Sequence, residues 1–357
     1  MLVACALLPT VILNTANAMD SSPRYAQTEE TTTQVKQAAA ALTTSKAFAF
    51  ALIGDLPYFN DMRETRELID DINSHRDSTG NIQFVMHAGD IKAGKSPCTD
   101  ELIKDRFTLF SGFNSPFILT PGDNEWTDCY RSGFNPVERL TYLRKVFFGS
   151  DNQDLNALHT VSQAQLQPEF SRYTENRLFL RENVLFATLH IVGSNNSLNP
   201  WKKIDPSDSW GRPNAERIAE FRERQKANIA WLDFVYAEAK RLEVKGLFLL
   251  SQANPQFDKL GTGAAAMEGF EKVLARFKSL SGDLTIPTIY AHGDFHRLVV
   301  DKPWDDRPHV QRVQTYGSPW IHWIKVVVKP NSSESTNGGS DALFSLEPQL
   351  MLKHSKR

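Results

Sequence analysis

Four apolar runs in this 357-residue chain each lead into a Gly-Asp pair. Phe48 to Ile53 ends in Gly54-Asp55, and Phe84 to Ala88 ends in Gly89-Asp90. Pro116 to Leu119 leads through Thr120-Pro121 into Gly122-Asp123-Asn124-Glu125, and Thr288 to His292 leads into Gly293-Asp294-Phe295-His296. Singly, an aspartate after a turn-forming glycine is a helix cap or a capped turn. Four of them, with a histidine two residues past the last, suggest carboxylates and an imidazole converging as ligands for metal ions.

The runs must be strands for that convergence to occur, and in open α/β folds ligands sit outside the carboxyl ends of the strands. The pattern between them supplies the helices. Apolar stripes predict helices over 64–74, 102–110, 136–148 and 268–280, and the longest over 215–242, where Ile218, Phe221, Ile229, Leu232 and Val235 recur at helical spacing. Leu178 to Leu180 and Val184 to Val192 predict a hairpin around Glu182-Asn183, whose second arm runs into a turn-rich Gly193-Ser194-Asn195-Asn196. Residues 244–250 and 286–292 predict further strands. Residues 149–177, rich in Gln and Asn, are expected to be an irregular insertion. After His296 short β runs at 298–300, 310–316, 321–328 and 342–346 suggest a second sheet closing a two-sheet sandwich, with 329–341 as a loop.

The ordered set resembles the calcineurin-like metallophosphoesterases, a superfamily that includes the purple acid phosphatases, over residues 47 to 328. The family pattern runs Asp-x-His, Gly-Asp, Gly-Asn-His-Glu/Asp, a lone His, and Gly-His-x-His. Asp55, Asp90 and His296 match it by residue type. Pro57 stands in place of the first-motif His, Asp123 in place of the Asn ligand, Asn124 in place of the adjacent His, and Asp294 in place of the first His of the last motif. Gln252 or Asn254 stands where the lone His belongs. A Tyr ligand three residues after the second-motif Asp, as in purple acid phosphatases, would fall at Ala93. Tyr58, three residues past Asp55, either ligates or packs.

The resemblance implies an α/β fold, a four-layer sandwich of two mixed sheets flanked by helices, over residues 46–350. It implies hydrolysis of a phosphate mono- or diester, with a small molecule or nucleotide as substrate. Two divalent ions, Mn, Mg, Fe, Zn or Ca, would be held by Asp55, Asp90, Asp123, Gln252, Asp294 and His296, with Asp90 shared. Carboxylates in place of imidazole and amide ligands favour harder cations such as Mn²⁺, Mg²⁺ or Ca²⁺. Asn124 can hydrogen-bond an oxyanion but cannot deliver a proton, so His87, His292 or water would protonate the leaving group. Lys92 either meets a phosphate oxygen or is solvated, and His292 is either that acid or a packed strand residue. The rival readings are a catalytically inactive relative that binds a ligand or partner, and a structural Ca²⁺ site.

Lys and Arg number 40 against 42 Asp and Glu, so charge gives no case for general nucleic-acid binding. Residues 1–18 read as a cleaved secretory signal, with an apolar stretch from Leu2 to Leu13 and Ala16-Asn17-Ala18 as the cleavage site, too short for a spanning anchor. Residues 19–45 read as a mobile lead-in. The protein is therefore expected to be secreted or periplasmic. Beyond Cys5 the chain keeps Cys98 and Cys129, either a disulfide between the second and third motif loops or two free thiols.

Overall fold

The computed structural model describes residues 46–59, 61–331 and 343–351. The signal-peptide and lead-in readings, and most of the 329–341 loop, lie outside the described residues.

In chain order the strands are β1 (Phe48–Ile53), β2 (Arg76–Asp77), β3 (Gly80–His87), β4 (Phe117–Leu119), β5 (Val161–Ser162), β6 (Arg177–Arg181) and β7 (Val184–Thr188). They continue with β8 (Gly246–Leu250), β9 (Thr288–His292), β10 (Val299–Asp301), β11 (Val310–Gln314), β12 (Trp323–Val328) and β13 (Phe344–Gln349). The principal helices are α1 (Met62–Ser74), α2 (Asp100–Phe110), α3 (Pro136–Phe147), α4 (Gln153–Ala157), α5 (Gln163–Leu166), α6 (Ala215–Arg241) and α7 (Glu271–Asp283).

The strands form two mixed sheets, ordered β13-β12-β1-β3-β2 with β4 also on β3, and β10-β11-β9-β8-β7-β6-β5. The centre of each is parallel: β1 with β3 and β3 with β4 in the first, β7 with β8, β8 with β9 and β9 with β11 in the second. Parallel strands covered on both faces read as continuous apolar runs, and every residue of β1, β4, β7, β8 and β9 is buried. The facing sheets interdigitate through phenylalanines. Phe50 meets Phe186 and Phe248 edge-on at 5.5 and 5.0 Å, and Phe84 meets Phe186 at 5.3 Å, the edge-to-face geometry that aromatic quadrupoles favour. On the outer face of the second sheet, Trp231, Leu232 and Val235 of α6 pack with Leu274 and Phe277 of α7 over Leu247, Leu249 and Tyr290. This is the expected two-sheet sandwich flanked by helices.

Helix starts are chemically marked. Thr99, Asn135 and Asn214 each accept a backbone N–H of the first turn of α2, α3 and α6, and Pro136 opens α3. Two expectations change. The C-terminal runs do not build the second sheet alone: β10 and β11 join it, whereas β12 pairs antiparallel with β1 in the first sheet and carries β13. The stretch 149–177 is also not irregular. It holds α4, β5 and α5, the last with a reciprocal Ser162–Gln165 capping box. Its amides are buried partners: Asn176 Nδ2 donates to Gln163 Oε1 (2.8 Å) and to Asn228 Oδ1 (3.0 Å).

Candidate metal centre

Strands β1, β3, β4 and β9 all deliver their Gly-Asp turns to one edge of the sandwich. Backbone bonds lock these turns together: Asp55 N donates to Gly89 O, Thr120 N to His87 O, Gly293 N to Gln252 O and Ser318 N to Asp55 O, all between 2.8 and 3.1 Å. Four of the candidate residues adopt the left-handed conformation that L side chains rarely take, with φ of 54° at Asp55, 60° at Asp90, 83° at Asp294 and 56° at His296. Each such residue costs about 1–3 kcal/mol and persists only where the surroundings enforce it, typically at functional sites. Glycines permit the close approach. A Cβ on Gly122 would collide with Asp90 Oδ1, and one on Gly293 with Asp55 Oδ2.

The side chains meet as follows. Asn124 Nδ2 donates to Asp90 Oδ2 (2.7 Å) and to the Tyr58 hydroxyl (2.8 Å), and Asn124 N donates to Asp90 Oδ1 (3.1 Å). The Tyr58 hydroxyl donates to Asp90 Oδ2 at 3.0 Å and lies 3.3 Å from His296 Nε2. Asp294 N reaches both oxygens of Asp55, at 3.0 and 3.1 Å, and Asn254 N donates to Asp294 Oδ2 at 3.3 Å. His296 Nδ1 sits 2.6 Å from the carbonyl of Ser318, which can only accept, so Nδ1 carries the proton. Nε2 is then the unprotonated nitrogen, 3.5 Å from Asp55 Oδ1 and 3.3 Å from the Tyr58 hydroxyl. An unprotonated nitrogen beside a carboxylate calls for a cation or a proton between them, and a backbone carbonyl on the far nitrogen is the usual way a metal-ligating imidazole is oriented.

The electrostatics point the same way. Burial, then the neighbouring Asp294 and Asp123, push Asp55 well above the usual carboxylate range. Burial, then Asp123, Glu125 and Asp55, do so for Asp90. Burial and Asp123 raise Asp294 to about 7. Burial likewise raises Glu125 to about 7, although its Oε1 accepts Gly122 N (2.6 Å) and Asp90 N (3.1 Å). Several carboxylates sharing a dry site disfavour one another's charge unless cations or protons neutralise them.

Among the described residues, no three His, Cys, Asp or Glu side chains are drawn into a group that could hold a metal ion. The donor chemistry nonetheless suits a hard cation: oxygen donors at Asp55, Asp90, Asp123 and Asp294, and one oriented imidazole at His296. Gln252, the other expected ligand, is buried beside the Gly193 turn. Its Oε1 accepts the Gly193 amide at 2.6 Å, which leaves the Nε2 donor as the free end.

The proton donors and the lysine named from the sequence are differently placed. The buried ring of His87 lies between Phe110 and Phe117 with Nε2–H on Leu56 O (3.0 Å), and burial drops its pKa to about 3. His292 is also fully buried, against Phe257 and Tyr290, with Nδ1–H on Gly293 O and a pKa of about 3 for the same reason. Neither imidazole is accessible to a leaving group. Lys92 is buried too. Its ammonium donates to Asn124 O (2.6 Å) and Ala93 O (2.9 Å), clamping the third-motif loop rather than facing a substrate.

An exposed cation, Arg131, also stands beside this loop. Its guanidinium pairs with Asp128 Oδ2 (2.7 Å), lies 3.4 Å from Ser194 Oγ and is 40% exposed. Its Nη1 and Asn124 Oδ1 stand 2.9 and 2.6 Å from the point a Cβ on Gly94 would occupy, so the guanidinium flanks the Asn124–Asp90 pair. The one hint in the sequence was its place two residues after Cys129. Cys98 and Cys129 are disulfide-bonded, with Cα atoms 5.7 Å apart, and each sulfur lies 3.7 Å from Asn124 O. The disulfide therefore backs the same loop that Lys92 clamps.

No protein-family model matches the sequence, and no curated protein matches it. Solved structures do. The chain is similar to a dimetal phosphatase from Danio rerio, at 11% identity and a TM-score of 0.47, over 78% of this chain and 95% of that one. It is similar to the purple acid phosphatase PPD1 from yellow lupin (Lupinus luteus) seeds, at 12% identity and a TM-score of 0.43, over 80% of this chain and 50% of that one. It is also similar to a 5'-nucleotidase from Candida albicans SC5314, at 11% identity and a TM-score of 0.38, over 85% of this chain and 51% of that one.

Proposed function

We propose that the protein is an exported, metal-dependent phosphoesterase, with Asp55, Asp90, Asp123, Asp294 and His296 as the residues that would hold two divalent cations. The observation that carries this is the convergence of left-handed Asp55, Asp90, Asp294 and His296 at one sheet edge, with the unprotonated Nε2 of His296 standing 3.5 Å from a buried carboxylate. Bound cations would supply an activated hydroxide and charge neutralisation of the phosphoryl oxygens.

The chain's own groups do the rest. Arg131 receives a non-bridging phosphate oxygen, its guanidinium being planar, permanently charged and preset by Asp128 and Ser194. Asn124 fixes Asp90, its backbone N–H on Oδ1 and its carboxamide on Oδ2. Glu125 holds the backbone amides of Asp90 and Gly122 together, so it positions the Asp90 turn. The leaving group takes its proton from water, since His87 and His292 are sealed in the core. A buried disulfide suits an oxidising compartment. Among the described residues no helix is long and apolar enough to cross a membrane.

One observation favours a second reading, a non-catalytic protein that binds a ligand or partner through the same cleft: His87 and His292, the imidazoles expected as general acids, are sealed in the core, and Asn124 stands where the resemblance places such an acid. Purified protein stripped with chelator separates the two. The hydrolase reading expects Mn²⁺-dependent turnover of p-nitrophenyl phosphate or its bis ester that Asp90→Asn abolishes. Absence of both bound metal and turnover with any divalent cation sinks it.

A further inference from the structure

A groove of about 550 Å³ opens beside Asp294. Two of the molecule's few exposed large apolar side chains line it: Trp210, 57% exposed, and Phe295, 51% exposed. Among the described residues neither ring is stacked on another aromatic, so both faces are open to the groove. Both are held from below. Phe295 lies between Asp294 and His296, whose left-handed backbone fixes it at the rim of the candidate centre. Trp210 rides on a loop anchored by the buried Asp208–Arg217 pair (2.6 and 2.9 Å) and by Asp208 contacts to Trp201 N and Asn214 N. The groove is thus a built feature, within the size range of small-molecule sites.

Its polar lining is neutral apart from Asp294. Carboxamides of Asn199, Asn254 and Gln256 stand along it. Asn254 Oδ1 accepts the Gln256 amide and Gln256 Oε1 accepts Lys259 Nζ, which leaves their NH₂ groups to offer hydrogen bonds. Flat apolar faces with carboxamide edges match a planar heteroaromatic ring whose rim accepts hydrogen bonds. A bare phosphate, a polyol or an acyl chain would use only one half of that lining.

We propose that this groove receives the leaving group of the ester and that the leaving group is a nucleoside, its base laid against Trp210 and Phe295 and its edge read by the carboxamides. The inference rests on the hydrolase reading for the word "leaving", but the binding it claims is independent of turnover.

Calorimetric titration of the chelator-treated protein with adenosine, AMP and ribose 5-phosphate tests it, together with Trp210→Ala and Phe295→Ala. Both rings are exposed, so the variants keep the core, and unchanged far-UV circular dichroism and melting temperature verify this. The expected result is saturable adenosine binding, unaffected by excess ribose 5-phosphate and weakened about tenfold in each variant, as loss of one base–aromatic contact implies. Five of the seven tryptophans are buried, so quenching of wild-type emission by adenosine that disappears in Trp210→Ala reports the ring directly. No adenosine binding to folded wild-type protein, or unchanged affinity in both variants, overturns the proposal. Adenosine binding through Trp210 with no ester hydrolysed in any cation overturns the hydrolase reading and keeps the groove. Hydrolysis of glycerol phosphate as fast as AMP, with no adenosine binding, does the reverse.

Discussion

Two buried acidic clusters in this molecule have opposite fates. At the second sheet, Glu175 is fully buried, but Arg144 grips both its oxygens (2.9 and 2.6 Å) and His190 Nδ1 adds a third contact at 2.7 Å. Burial alone would raise its pKa, yet Arg144 and His190 outweigh burial and hold the carboxyl well below its usual range. At the sheet edge, Asp55 and Asp90 are also buried and Asp294 partly so, and their neighbours are further carboxylates, so all three are pushed up. Buried charge in the service of stability is partnered within the protein. Buried charge left without a protein counter-ion marks a place where something else must supply one.

The largest expected effect breaks that comparison at its centre. Asp90→Asn removes turnover by about a thousandfold or more, because it takes away the oxygen pair shared by Asn124 and Tyr58, and effects of that size follow loss of a primary electrostatic stabiliser. In chelator the same variant melts higher than wild type, since one like charge has gone from the cluster. Glu175→Gln does the opposite. It leaves Arg144 short of its partner, lowers unfolding free energy by about 3–5 kcal/mol in denaturant titration, and changes kcat less than twofold. Destabilisation by both variants alike would erase the distinction between the clusters.

The pH dependence sharpens it. A carboxyl whose folded pKa exceeds its unfolded value keeps its proton longer when folded, so the folded state binds more protons between the two values and stability falls as pH rises across that window. Asp294 and Glu125 rise to about 7, and Asp128, chiefly by burial and then Asp123, to about 8, from ordinary values of 3.8, 4.5 and 3.8. The metal-free protein is therefore expected to be most stable near pH 5 and to lose several kcal/mol by pH 8, at about 1.4 kcal/mol per unit and group. Millimolar Mn²⁺ restores the melting temperature at pH 8 and has little effect at pH 5. A melting temperature flat from pH 5 to 8 in chelator would mean the carboxylates are not electrostatically coupled.

Arg131 is the next step down. Arg131→Ala raises KM for a phosphate monoester about tenfold while kcat falls less, the pattern of lost substrate binding. Lysine at 131 restores only part, because it cannot hold Asp128 and a phosphate oxygen in one plane.

How much of this could be read from the chain follows from where the information lies. The four strand ends were legible because a buried strand and its Gly-Asp turn are adjacent in sequence, and sheet topology then gathers them. The division of the C-terminal strands was not legible, since a run such as Trp323 to Val328 has no mark saying it pairs with β1 rather than β9. The Gln- and Asn-rich stretch looked irregular because the partners that satisfy it lie 13 and 52 residues away. Arg131 escaped notice because a short 3₁₀ turn over Thr127–Ser132 and the Cys98–Cys129 bond bring it back beside Asn124. Tyr58 lies at the centre, its hydroxyl donating to Asp90 Oδ2 and 3.3 Å from His296 Nε2, because the turn after Asp55 folds back over the second-motif loop.

His87 gives the smallest expected effect and, set beside His296, the cleanest contrast. His87 and His296 each close an apolar strand-and-turn segment, and sequence offers both as chemical groups. His296 lies past a left-handed turn with Nε2 facing the acids, whereas His87 is the last residue of β3 and points into Phe110 and Phe117. Replacing His87 with Phe keeps the ring volume and removes one hydrogen bond to Leu56 O, which should lower stability by about 1 kcal/mol and leave kcat within twofold at every pH. His296→Phe should abolish cation-dependent turnover while costing little stability, the ring being partly exposed. A large loss of kcat in His87→Phe, with the fold intact, would return that imidazole to the chemistry and require the core around Phe110 to open during the reaction.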